Sequence, residues 1–200
     1  MITLKMLEDF KKYLDILETR LLSKYFEAQK DYIHCKEGCS GCCQVGEYPT
    51  SDLELMYLVA GYQKLDKETQ DKIATNIDAI KLKRENGDNK MYQCPFLIDN
   101  RCSVYENRTL ICRTHGLLFY VTDKDGNSKN KIPACVNDGL NFSEVYDAES
   151  GTISLEKWKL SGIEAEPKAY NISRESLMNN EIVRDLGLDF GESKAMIDWF

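Results

Sequence analysis

The sequence lacks any apolar run of membrane-spanning length. Stretches such as Leu117 to Val121 cover only a few residues, where a helix crossing a bilayer needs about 20, so no membrane partner is expected. Positive charge is not in excess either. Lys and Arg number 26 against 33 Asp and Glu, a net charge of -7. No Lys/Arg cluster interleaved with aromatics offsets that charge locally, which argues against a nucleic-acid partner. A signal-peptide core is also missing, because Lys5, Glu8, Asp9, Lys11 and Lys12 interrupt the apolar residues between Met1 and Asp31. Export is therefore not expected, and a cytoplasmic location is. Neither of the Gly-rich loops that cradle nucleotide phosphates is present, nor a Ser/His/Asp arrangement that spacing would identify. Internal repeats, linkers and low-complexity tracts are absent as well.

What is present is an ordinary globular composition, 42% hydrophobic and 30% charged over 200 residues, which predicts one well-buried domain spanning 1–200. Leu7, Phe10, Leu14, Leu17, Leu21 and Tyr25 recur at helical spacing and predict a long N-terminal helix over 3–31. Ser51 with Glu54 gives a capping-box signal for a helix beginning at Asp52. A third helix carries Ile73, Ile77 and Ile80 on one stripe and ends near Glu85-Asn86-Gly87-Asp88-Asn89. Phe96 to Ile98 and Cys102 to Tyr105 read as a short hairpin around a three-residue turn, Asp99-Asn100-Arg101. A short helix follows at Thr109 to Arg113, then a second hairpin in which Leu117 to Thr122 and Lys131 to Ile132 flank Asp125-Gly126-Asn127. Ser173 to Leu186 reads as helix, and Glu192 to Phe200 as a last short helix docking through Trp199 and Phe200. The fold class expected is α+β, mainly helical, with small β-hairpins and a loop-rich metal-binding centre.

All eight cysteines and both histidines fall between positions 34 and 135. The order is Cys35-x3-Cys39-x2-Cys42-Cys43, then Cys94-x7-Cys102-x9-Cys112, then Cys135. In a reducing compartment such thiols persist and become metal ligands or catalysts rather than disulfides. Short spacings suit a tetrahedral site, since a two- or three-residue loop brings two sulfurs to one ion without strain, and distant pairs supply the rest. Adjacent Cys42 and Cys43 are expected to point different ways, so that one of them binds elsewhere, lines the pocket or reacts. His34 and His115 lie beside the cluster and read more readily as supporting residues than as ligands. Arg101, Arg108 and Arg113 surround its second half and either offset thiolate charge or face solvent.

The string Cys35-x3-Cys39-x2-Cys42-Cys43, followed by Cys94-Pro95-Phe96-Leu97, Cys102-Ser103-Val104-Tyr105 with Glu106-Asn107-Arg108, and Cys112-Arg113, resembles a bacterial cysteine-cluster family described as zinc- or iron-chelating. The resemblance covers about 34 to 142, leaving a C-terminal extension at 143–200. It implies Cys35, Cys39, Cys42, Cys43, Cys94, Cys102 and Cys112 as metal ligands, with Cys135 a weaker match. Thr109 stands where the family has proline after the arginine, and His115-Gly116 where it has an aromatic and proline. A similar cluster in flagellin lysine N-methylases implies a link to S-adenosylmethionine-dependent methylation.

Three functions follow. The first is a metal-binding protein in which clustered thiolates chelate zinc or iron, an iron-sulfur cluster being one form. The second is a metal- or iron-sulfur-dependent enzyme or redox component associated with that methylation, although the strand-helix alternation of a cofactor-binding sheet is not visible. The third is a thiol redox protein using Cys39-Ser40-Gly41-Cys42, which lacks the surrounding βαβ pattern.

Overall fold

The computed structural model describes residues 3–44, 47–88 and 90–200. The chain divides into two compact units, one of residues 1–10, 37–113 and 187–200, the other of 11–36 and 114–186. The fold is mainly helical α+β. Among the described residues the strands are two to four residues long and pair two by two in antiparallel sheets.

The N-terminal helix runs Leu4–Ile16 and passes into a π-helical turn, Leu17–Leu22, before Ser23–Ala28. Phe10, Leu14 and Leu17 are buried as the stripe predicts, but the next buried residue is Leu22 rather than Leu21. The wider i to i+5 turn moves the apolar face forward by one position, so a strict 3.6-residue period slips there. A 3-10 turn, Lys30–Tyr32, ends the segment.

In the first unit the helix Asp52–Tyr62 starts where the capping box places it, with Ser51 Oγ accepting from the Glu54 N–H and the Glu54 carboxylate accepting from the Ser51 N–H. The strand Pro49–Ser51 leads into it and pairs with Ser193–Ala195. That strand, with the 3-10 turn Met196–Trp199, replaces the expected last helix over Glu192 to Phe200. Trp199 docks as expected, its indole N–H donating to the Thr50 carbonyl at 2.9 Å. Glycine is required at Gly191, whose φ is +67° and where a Cβ would lie 2.5 Å from the Asp52 carboxylate. The third helix is Lys67–Glu85, capped by Asp66 and buried through Ile73 and Ile80. Asn89 of its expected terminus lies outside the described residues. Leu58, Ile73, Phe96, Val104 and Met196 form the core, with Cys94 and Cys102 packed against it.

The first hairpin pairs Leu97–Ile98 with Arg101–Cys102. Its turn has two residues, not three. Asp99 and Asn100 both take positive φ, 50° and 59°, the pattern of a primed turn that matches strand twist, and this returns Arg101 to the strand. The short helix is Leu110–Thr114.

The second unit packs Tyr32, Leu118, Val136, Phe142 and Val145 together, with Tyr32 and Phe142 stacked at 5.2 Å. Buried Gln29 bonds the backbone of Leu118 twice, its amide nitrogen donating to the carbonyl and its oxygen accepting from the N–H, each at 2.9 Å. The second hairpin pairs Phe119–Thr122 with Ser128–Lys131. A further one, Tyr146–Asp147 with Thr152–Ile153, has no counterpart in the sequence reading. Ser173 to Leu186 is not one helix but two, Arg174–Met178 and Glu181–Asp185. Asn180 leaves helical geometry to cap the second, accepting from the Val183 N–H, and so divides them.

Candidate metal centre

Five thiols come from four separate segments of the first unit. Cys42 and Cys43 sit on a single helical turn, Gly41–Gln44. Cys94 follows the long helix, Cys102 ends the hairpin and Cys112 lies on Leu110–Thr114. The segments are tied by backbone. The Cys94 N–H donates to the Cys43 carbonyl at 2.8 Å, and the Gln44 amide donates to Asn100 of the hairpin turn at 3.3 Å. Tyr48 OH donates to the Cys42 carbonyl.

The adjacent sulfurs of Cys42 and Cys43 are 3.9 Å apart, not divergent. Two sulfurs on one tetrahedral ion at about 2.3 Å stand about 3.8 Å apart, so this separation suits a shared ion. Cys94 and Cys102 each occupy the same kind of turn, in which a backbone N–H two residues on, from Phe96 and Val104, favours the thiolate. Thr109 Oγ1 lies 3.3 Å from the Cys112 sulfur and favours its thiolate likewise.

Desolvation works against these bonds. Burial pushes the Cys94 thiol up to about 12 and Cys112 up to about 11, and raises Cys102, which Arg108 partly opposes. The hydrogen bond within the adjacent pair lowers Cys42 to about 7 and raises Cys43, whose proton is retained. Charge on Cys42 raises Cys43, Cys94, Cys102 and Cys112, which places the five thiols in one electrostatic neighbourhood. Thiols so placed cannot all ionise by themselves, whereas a cation among them deprotonates coordinating sulfur outright. Among the described residues no three His, Cys, Asp or Glu side chains converge as a finished metal site. The donor set, sulfur alone, fits zinc or iron rather than a hard cation.

The remaining sequence-predicted residues fall on both units. Cys39 is exposed on the loop before the helical turn, after Gly38 at φ +82°. Cys35 and Cys135 belong to the second unit. There the Cys35 sulfur accepts from the side chain of Asn141 at 3.3 Å, and the same amide nitrogen donates to the Gly116 carbonyl at 3.0 Å. His34 pairs with Glu144 at 2.6 Å. His115 is half-buried, and desolvation lowers its pKa, keeping the ring neutral. Arg101 pairs with Glu37 at 3.0 Å on the surface. Arg113 is buried instead, donating to the Glu106 and Arg108 carbonyls and fixing the turn before Cys112.

Sequence reasoning did not assign Glu54, Tyr48 or Thr109 to the site, nor Asn141 to the surroundings of Cys35. Glu54 is fully buried, and beyond its capping box its Oε1 accepts from the Leu110 N–H at 2.9 Å, fixing the start of the Cys112 helix. The Thr109 spacing, three residues before Cys112, was a readable signal. Glu54 and Asn141 act through partners 56 and 106 positions away, and Tyr48 through a carbonyl six positions before it.

Clustered thiols, a sulfur-only donor set and turns that stabilise thiolate define a cysteine-cluster protein of the metal-chelating class. The chain belongs to the CxxCxxCC family, whose model, described as "Putative zinc- or iron-chelating domain", matches residues 34–135. No curated protein and no solved structure matches it. The family's name spaces its first two cysteines by two residues, whereas here Lys36, Glu37 and Gly38 intervene.

Proposed function

We propose that the protein binds a zinc or iron ion through thiolates drawn from Cys42, Cys43, Cys94, Cys102 and Cys112, and that the ion holds the first unit together. The observation that carries this reading is the delivery of five thiols by four separate segments of one unit, with the Cys42 and Cys43 sulfurs 3.9 Å apart and the Cys94 N–H bonded to the Cys43 carbonyl at 2.8 Å. Four of them complete a closed tetrahedral centre, in which the ion is structural and its binding is coupled to folding. Cys35 and Cys135, in the second unit, are not part of this proposed centre.

The test is elemental analysis with labile-sulfide assay on protein purified without air. Zinc without sulfide, lost in Cys94→Ser and Cys112→Ser but kept in Cys135→Ser, is the expected result. Iron with labile sulfide turns the reading to a cluster and to redox chemistry. Failure to take up either metal, even on reconstitution, refutes the reading.

A further inference from the structure

The proposed centre holds one thiol more than a closed tetrahedral ion takes, and two of its five are chain neighbours with sulfurs 3.9 Å apart. Cys42 is the exposed thiol of the five, Cys43 beside it is partly exposed like the other three, and Cys94 and Cys102 pack against the apolar core. A small oxidant thus meets Cys42 first, with a second sulfur already beside it.

We infer that Cys42 and Cys43 form a peroxide-oxidisable vicinal dithiol, whose closure to a disulfide releases the bound ion. The inference rests on the thiolate-metal reading above. Cys42 sulfur attacks one oxygen of hydrogen peroxide, the O–O bond breaks, and hydroxide leaves and is protonated to water. Cys43 sulfur then displaces the sulfenic hydroxyl as a second water while the S–S bond forms. Two electrons leave the thiol pair and peroxide is reduced to two waters. Two ligands are withdrawn at once, and the three sulfurs left cannot close a tetrahedral site.

The geometry also makes the bond reversible. Successive Cα atoms lie about 3.8 Å apart, closer than the 4.4 Å or so at which ordinary disulfides begin, and such strain makes a disulfide easier to reduce. A dithiol reductant therefore reopens it and restores the binding site. The competing partner for Cys42 is Cys39, two residues before the helical turn. Cys43 is favoured because its sulfur is already adjacent.

The test treats the metal-loaded full chain with hydrogen peroxide, follows released ion with a chromogenic chelator and locates the disulfide by peptide mass spectrometry. Expected is release of the ion together with loss of two hydrogens as a bridge between Cys42 and Cys43. The bridge persists in Cys39→Ser, is absent from Cys43→Ser and is reversed by dithiothreitol. Mapping needs no bound ion, so the Cys43→Ser result stands even where that variant binds metal poorly. Retention of the ion under peroxide, or a bridge from Cys42 to Cys39, overturns the inference. Failure of the metal reading looks different, because no ion is then bound before peroxide is added.

Discussion

Glu54 is a fully buried carboxylate that fixes the starts of two helices of the first unit. Its two oxygens receive the Ser51 N–H, the Ser51 hydroxyl and the Leu110 N–H, all in a fully buried position. Glu54→Ala leaves those donors without a partner inside the protein, where each costs about 1–3 kcal/mol. Part of that cost is offset because the carboxylate itself no longer has to be buried, so the expected loss in a denaturant titration is about 2–4 kcal/mol, with impaired metal uptake because the Cys112 helix loses its fixed start. Half of this role was legible. Ser51 and Glu54 are three residues apart and announce the capping box, whereas Leu110 lies 56 positions further along, and no local pattern encodes that bond. The cysteines show the same division. Their clustering in sequence is plain, but which of them share a neighbourhood depends on where the long helix and the hairpin bring Cys94 and Cys102.

At the scale of elements, the helix beginning at Asp52 was readable to the residue from its capping box, whereas the helix Leu155–Ser161, also capped by a serine side chain, was not read at all. Ser193–Ala195 is a strand only because Pro49–Ser51 lies beside it, a pairing that its own sequence does not contain. The π turn escaped because periodicity assumes a constant pitch. Packing between elements also reverses an ordinary expectation at Gly61. Replacing a helical glycine by alanine stabilises a helix by about 1 kcal/mol. Here an added Cβ would lie 2.6 Å from the Asn107 Cβ, and that side chain is held by its bond to the Tyr57 carbonyl at 2.9 Å. Gly61→Ala is therefore expected to lower stability by about 1–3 kcal/mol, measured as a drop in Tm, and an unchanged or raised Tm would show that Asn107 yields.

For the whole molecule, pH acts oppositely on stripped and loaded protein. Burial raises Cys94, Cys102 and Cys112 above the ordinary thiol value of 9.0. Above that value the unfolded chain loses these protons while the folded one keeps them. Protein stripped by chelation is thus expected to be stable below about pH 9 and to weaken as pH rises through the raised values. Metal binding must expel the same protons, so affinity rises with pH, and competition with a chelator at pH 6.5 and 8 should favour the protein at the higher value. Free metal at about 100 times its dissociation constant should add about 2.7 kcal/mol to stability. The remaining consequence lies in the second unit, with Gln29. Its amide bonds the Leu118 backbone as a neighbouring strand would, at the start of Leu118-Phe119-Tyr120-Val121, an uncharged run of high β-propensity without proline. The run itself is paired with Ser128–Lys131 on one side and bonded to the Tyr170 backbone on the other, so Gln29→Leu should leave the pairing in place and cost the buried Leu118 N–H its partner, read as a drop in Tm. A single side chain thereby stands in for one residue of a strand, closing the ladder at the position where the backbone of Tyr170 leaves off.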